Sequence, residues 1–106
     1  MRNRQIELRM LLMKSKGKET PTEHIAVLVA QLGAYSRGIY HLGAFPEDAN
    51  LYMLEVKRAI GDMIVQLQIA CNHHGLNFDE LGEMGYKAFV ETMLDIRKSR
   101  KAGESH

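Results

Sequence analysis

Two long stretches carry apolar side chains alternately three and four residues apart, and only Gly43 to Glu47 separates them; no other feature constrains this 106-residue chain as strongly. In the first, Ile25, Leu28, Leu32, Tyr35, Ile39 and Leu42 draw a single stripe along a helix. In the second, Met53, Val56, Ile60, Met63, Leu67 and Ala70 do the same. Helices joined by so short a connection must lie antiparallel, and matched stripes of this kind suit the shallow crossing of a helical bundle.

The boundaries of these helices are written in local chemistry. Thr20 as N-cap, Pro21 at the first helical position and Glu23 at the third form a complete start signal, and Gly43 is placed to end that helix. Pro46, Glu47 and Asp48 start the next helix, which runs to His74 and stops at Gly75. A shorter amphipathic helix, with Ile6, Met10, Leu11 and Met13, precedes them and stops at Lys16-Gly17-Lys18. A last helix opens on Asn77 with Glu80 three residues later and carries Leu81, Met84, Phe89, Met93 and Ile96. No strand pattern or repeat interrupts them. The expectation is an all-α, antiparallel bundle of about four helices in a single domain: residues 1–19 a basic helix and linker, 20–96 the core bundle, 97–106 a basic tail. Ile64 and Cys71 lie beside the main stripe of the third helix, so one partner helix cannot cover all its apolar surface, and a homodimer or higher homo-oligomer is expected.

Charge narrows the partners. Residues 1–19 hold six Lys/Arg against two acids and residues 97–106 four against one, whereas residues 20–96 hold four against ten. An acidic middle gives no reason to expect a nucleic-acid-binding core, and the basic ends read as solvated helix termini. No apolar run is long enough for a membrane span and no signal-peptide pattern opens the chain, which reads as cytoplasmic. Cys71 is the single cysteine, so a disulfide framework within the chain is excluded and a packed thiol is expected. The seven methionines read as adaptable core filling.

Chemistry must come from the faces beside the stripes. On the second helix that face reads Val27, Ala30, Gln31, Ala34, Gly38; on the third it reads Glu55, Arg58, Ala59, Asp62, Gln66. Two segments here carry a likeness. Ala30-Gln31-Leu32-Gly33-Ala34-Tyr35 and the run Ala59-Ile60-Gly61-Asp62-Met63-Ile64-Val65, continued by Asn72-His73-His74-Gly75-Leu76-Asn77 and Asp79-Glu80-Leu81, resemble the MazG-like all-α nucleotide pyrophosphohydrolases over about residues 22–95. The resemblance implies a helical scaffold in which glutamates of the first motif and a Glu and an Asp of the second hold Mg²⁺ against nucleotide phosphates. In this chain Ala30, Gln31 and Ala34 stand at the first set and Ala59 at the second, leaving Asp62. Magnesium requires oxygen ligands, which alanine cannot supply. Glu55, two turns before Asp62 on the same face, is the second candidate metal ligand, and Gln31, Arg58 and Lys87 are the candidate nucleotide contacts. The competing reading of Glu55, Arg58 and Asp62 is an acid-base-acid ion-pair ladder.

The histidines offer less. His73 and His74 point about 100° apart on a helix and cannot form the usual same-face metal pair, so a helix-end role is expected. His24 and His41 have no acid at helical spacing. Three functions remain open: a divergent, non-hydrolysing MazG-like protein acting through nucleotide or phosphate-compound binding or as an interaction subunit; an active Mg²⁺-dependent pyrophosphohydrolase with rearranged ligands; and a plain helical oligomerisation module.

Overall fold

The computed structural model describes residues 3–14 and 21–104, and every regular element among them is helical. Helix α1 spans Gln5–Lys14, α2 Pro21–Ala44, α3 Ala49–His73 and α4 Phe78–Glu104; a single 3-10 turn, Pro46–Asp48, joins α2 to α3. The Thr20 cap and the Lys16-Gly17-Lys18 stop lie outside the described residues. The chain divides into two compact units, Met1–Leu76 and Asn77–His106.

The first unit is organised by α2 and α3, which pack along their full length. His24 lies against Gln66 and His73, Gly38 against Val56, and His41 against Tyr52, so the two helices run antiparallel. The connection is tighter than the sequence suggests. Helix α2 continues through Gly43 to Ala44, and the Phe45 amide still donates to the His41 carbonyl at 2.8 Å before Pro46 opens the turn.

Helix α3 ends where Gly75 predicts. Gly75 has φ +65°, a conformation that costs a side-chain-free residue nothing. Around it the Leu76 amide donates to the Cys71 carbonyl at 2.9 Å and the Gly75 amide to Asn72 at 3.3 Å, a Schellman closure that satisfies the last carbonyls of the helix.

Helix α1 rests on the C-terminal half of α3 through side-chain amides. Gln68, 3% exposed, accepts from the Arg4 backbone amide at 2.8 Å. Gln5 donates to Asn72 Oδ1 at 3.1 Å and to the Leu76 carbonyl at 2.8 Å, and Asn72 donates back to the Gln5 carbonyl at 2.9 Å. This network turns Gln5, Leu8 and Leu12 inward. Ile6, Met10, Leu11 and Met13, the expected apolar side of α1, are exposed.

In the second unit, Asn77 caps α4 as its sequence position predicts, its Oδ1 accepting from the Glu80 amide at 3.1 Å. Helix α4 carries Met84, Phe89, Met93 and Ile96, all exposed, and stays helical through the basic segment Arg97–Lys101.

Candidate functional site

The α2–α3 pair has a seam and two flanks, and the heptad register of the two helices sorts every candidate residue among them. At the seam, α2 contributes His24, Leu28, Gln31, Tyr35, Gly38 and Leu42; α3 contributes Tyr52, Val56, Ala59, Met63, Gln66, Ala70 and His73. Alternate positions are therefore apolar, while those between them, His24, Gln31 and Gly38 on one side and Ala59, Gln66 and His73 on the other, are small or polar. Close approach follows from the small ones. A Cβ at Gly38 would stand 2.8 Å from Val56 Cγ2, and Ala59 is 3% exposed.

The polar seam positions meet at one end of the pair. His24 Nδ1–H donates to Gln66 Oε1 at 3.0 Å, and the His24 and His73 rings lie 4.7 Å apart between centroids. With Ile25, Leu28, Ala70 and His74 they line a pocket of about 40 Å³. That volume suits water rather than a nucleotide. At the other end His41 packs against Tyr52 and Phe45. The expected helix-end position of His74 is met, since it closes α3 with its backbone amide on the Cys71 carbonyl at 3.2 Å. His73 holds that position as well, as the last residue of α3, and also meets His24 across the seam.

One flank carries the residues singled out for metal chemistry. Asp62 and Glu55 are exposed on it, as is Arg58, with Ala30 exposed and Ala34 half-buried on the facing side of α2. Among the described residues, Arg58 makes no ion pair with either acid, so the ladder is not formed, whereas Arg4 pairs with Glu7 at 2.8 Å. No group of three His, Cys, Asp or Glu is placed to hold a metal ion among the described residues. Gln31 is turned away from this flank into the seam, where its Oε1 is buried with no hydrogen-bond partner among the described residues. Lys87 is exposed on α4, in the second unit. The structure thus keeps Asp62, Glu55 and Arg58 on one open helix side and separates Gln31 from them.

The opposite flank is apolar. His24, Gln31 and Gly38 on α2 and Tyr52, Ala59 and Gln66 on α3 are each followed by a large apolar residue: Ile25, Leu32 and Ile39, and Met53, Ile60 and Leu67. Because the chains run in opposite directions, these two rows fall on the same side of the pair. All six side chains are between 42% and 61% exposed.

Sequence reasoning missed both the His24–Gln66–His73 contact and the exposure of half of each predicted stripe. The signal was present as a strict period of seven, His24, Gln31, Gly38 and Ala59, Gln66, His73, which marks the closest-packed line of each helix. The fold and its flanks define an all-helical protein built on an antiparallel pair with one apolar and one acidic side. No family model, curated protein or solved structure matches the chain.

Proposed function

We propose that this chain is an interaction subunit: a divergent, non-hydrolysing relative of the MazG-like scaffold whose α2–α3 pair serves assembly. The observation that carries this reading is the double row of six exposed apolar side chains beside a seam that buries little. Among the described residues only Val56, Ala59, Ile69 and Cys71 are buried apolar side chains. Apolar burial is the main favourable term in folding, and ordering the chain opposes it at every residue, so the double row is surface that favours being covered. The acidic flank offers less to a nucleotide: among the described residues no third metal-ligating side chain joins Asp62 and Glu55, and Gln31 points elsewhere.

The experiment is incubation of the full chain with a panel of nucleoside triphosphates and Mg²⁺, read as pyrophosphate release and as the melting transition. Neither turnover nor stabilisation is expected. Turnover that Asp62→Ala abolishes would overturn the reading, because a native-state ligand or substrate must act through the one flank that holds acids.

A further inference from the structure

We propose that the apolar flank is the contact face for a second copy of this chain, two α2–α3 pairs closing face to face into a two-fold four-helix bundle. This names the partner of the assembly reading above and rests on it.

The first support is self-complementarity. A two-fold interface sets a surface against itself, so any charge near the axis meets its own kind. The rows beside the six apolar residues are Val29, Ser36 and Gly43 on α2 and Asn50, Lys57, Ile64 and Cys71 on α3, with a single charge among them. The other flank sets three charges, Glu55, Arg58 and Asp62, against a second copy, and closure would strip each of them of water. Only the apolar side fits its own copy.

Size is the second support. Helices of 24 and 25 residues are about 36 Å long at 1.5 Å per residue, and two side by side are about 20 Å wide, a face of roughly 700 Å². A stable association buries about 800 Å² on each partner. A lone docking helix seated between the rows would leave the outer sides of both helices wet, Val29 at 63% exposure among them. A second pair covers both rows at once, with Leu32 and Ile60 of each copy in the central layer.

The test is the mass of the full chain in solution by light scattering across micromolar concentrations, with helix content followed by circular dichroism. Wild type is expected at twice 12.0 kDa. Ile60→Glu and Leu32→Glu, made separately, are expected to weaken association about 100-fold or more, since each sets a carboxylate in the central apolar layer, while Asp62→Ala leaves the dimer intact. As a second measurement that does not depend on a charged variant folding, Leu32→Cys in the full chain should be joined to its copy by a short bis-maleimide. A wild type at 12.0 kDa throughout, a dimer that survives both glutamates, or no cross-link overturns the proposal. A 12.0 kDa wild type that binds the apolar dye ANS brightly sinks the second copy and leaves assembly with another protein standing; a 12.0 kDa wild type that hydrolyses nucleotides sinks both.

Discussion

The two flanks of the α2–α3 pair are built from the same two helices and differ in what one residue step does to them. One place after the seam positions Gln31 and Gln66 stand Leu32 and Leu67; on the far side of the seam stand Ala34 and Asp62. The first flank is large, apolar and uncharged apart from Lys57, and the second is small and acidic. A metal site gathers oxygen donors into one closed shell, whereas an assembly face spreads apolar area evenly; the asymmetry therefore reads as a division between a side that is covered and a side that is wet. The strongest way to break the comparison is the glutamate at Ile60, which should abolish association while its counterpart change on the acidic flank does nothing.

The next largest effect tests the seam that keeps the flanks apart. Gly38 is in contact with Val56, which is 6% exposed, and there is no room for a larger residue. Gly38→Leu is expected to destabilise the protein by about 3 kcal/mol through overpacking, more than offsetting the roughly 1 kcal/mol that a better helix former contributes. Urea denaturation of Gly38→Leu and of Gly38→Leu/Val56→Ala checks this: the double variant should recover part of the loss. If the single variant is as stable as the parent, the helices are not in close contact here and the division into two flanks fails with it.

Much of this architecture was legible in the sequence because it depends on local chemistry. The Gly75 stop, the Asn77 cap and the antiparallel pairing each follow from a few neighbouring residues. What was not legible is the rotation of each helix about its axis. A stripe such as Ile25, Leu28, Leu32, Tyr35, Ile39 and Leu42 is apolar across two adjacent heptad positions, and periodicity alone does not say which half faces the partner helix. Hydrophobicity centres the stripe; close approach at Gly38 and Ala59 and the His24–Gln66 hydrogen bond turn it by about one position. The same rotation explains the site. Gln31 was read on one face with Ala34, and a small turn puts its amide in the seam. For α1 the amide of its own Gln5 and those of Gln68 and Asn72 on α3 decide the inward side against the apolar residues, a preference that no single-helix pattern contains.

Cys71 separates what the chain covers by itself from what a second copy would cover. It is buried within the single chain, and burial pushes its thiol above the ordinary range, leaving less thiolate at neutral pH. Alkylation by iodoacetamide at mild alkaline pH should therefore be slower in the native protein than in urea, and equally slow in the Ile60→Glu monomer. The linkage has a definite sign. A thiol that holds its proton more tightly when folded contributes stability that is complete below the unfolded pKa and is lost as pH rises through the folded one, so the urea midpoint should decline on the alkaline side of the usual thiol range and Cys71→Ala should flatten that decline. A thiol that reacts faster once Ile60→Glu separates the copies would move Cys71 into the interface and redraw the apolar flank.

The smallest expected effect belongs to the residue that the family resemblance made most prominent. Asp62 is exposed and, among the described residues, joins no ion pair, so Asp62→Ala should change unfolding free energy by no more than about 0.5 kcal/mol. The comparison with Leu32→Ala sharpens the result. Removing an aspartate from a wet flank leaves the melting temperature and its dependence on protein concentration unchanged, whereas trimming a residue of the central apolar layer lowers association and makes melting depend more steeply on concentration. Adding Mg²⁺ to parent and Asp62→Ala in parallel completes the test. Equal melting curves place Asp62 among solvated surface acids; a magnesium-dependent rise present in the parent and absent in the variant would make the acidic flank a working cation site, and the division of labour between the two flanks would have to be reversed.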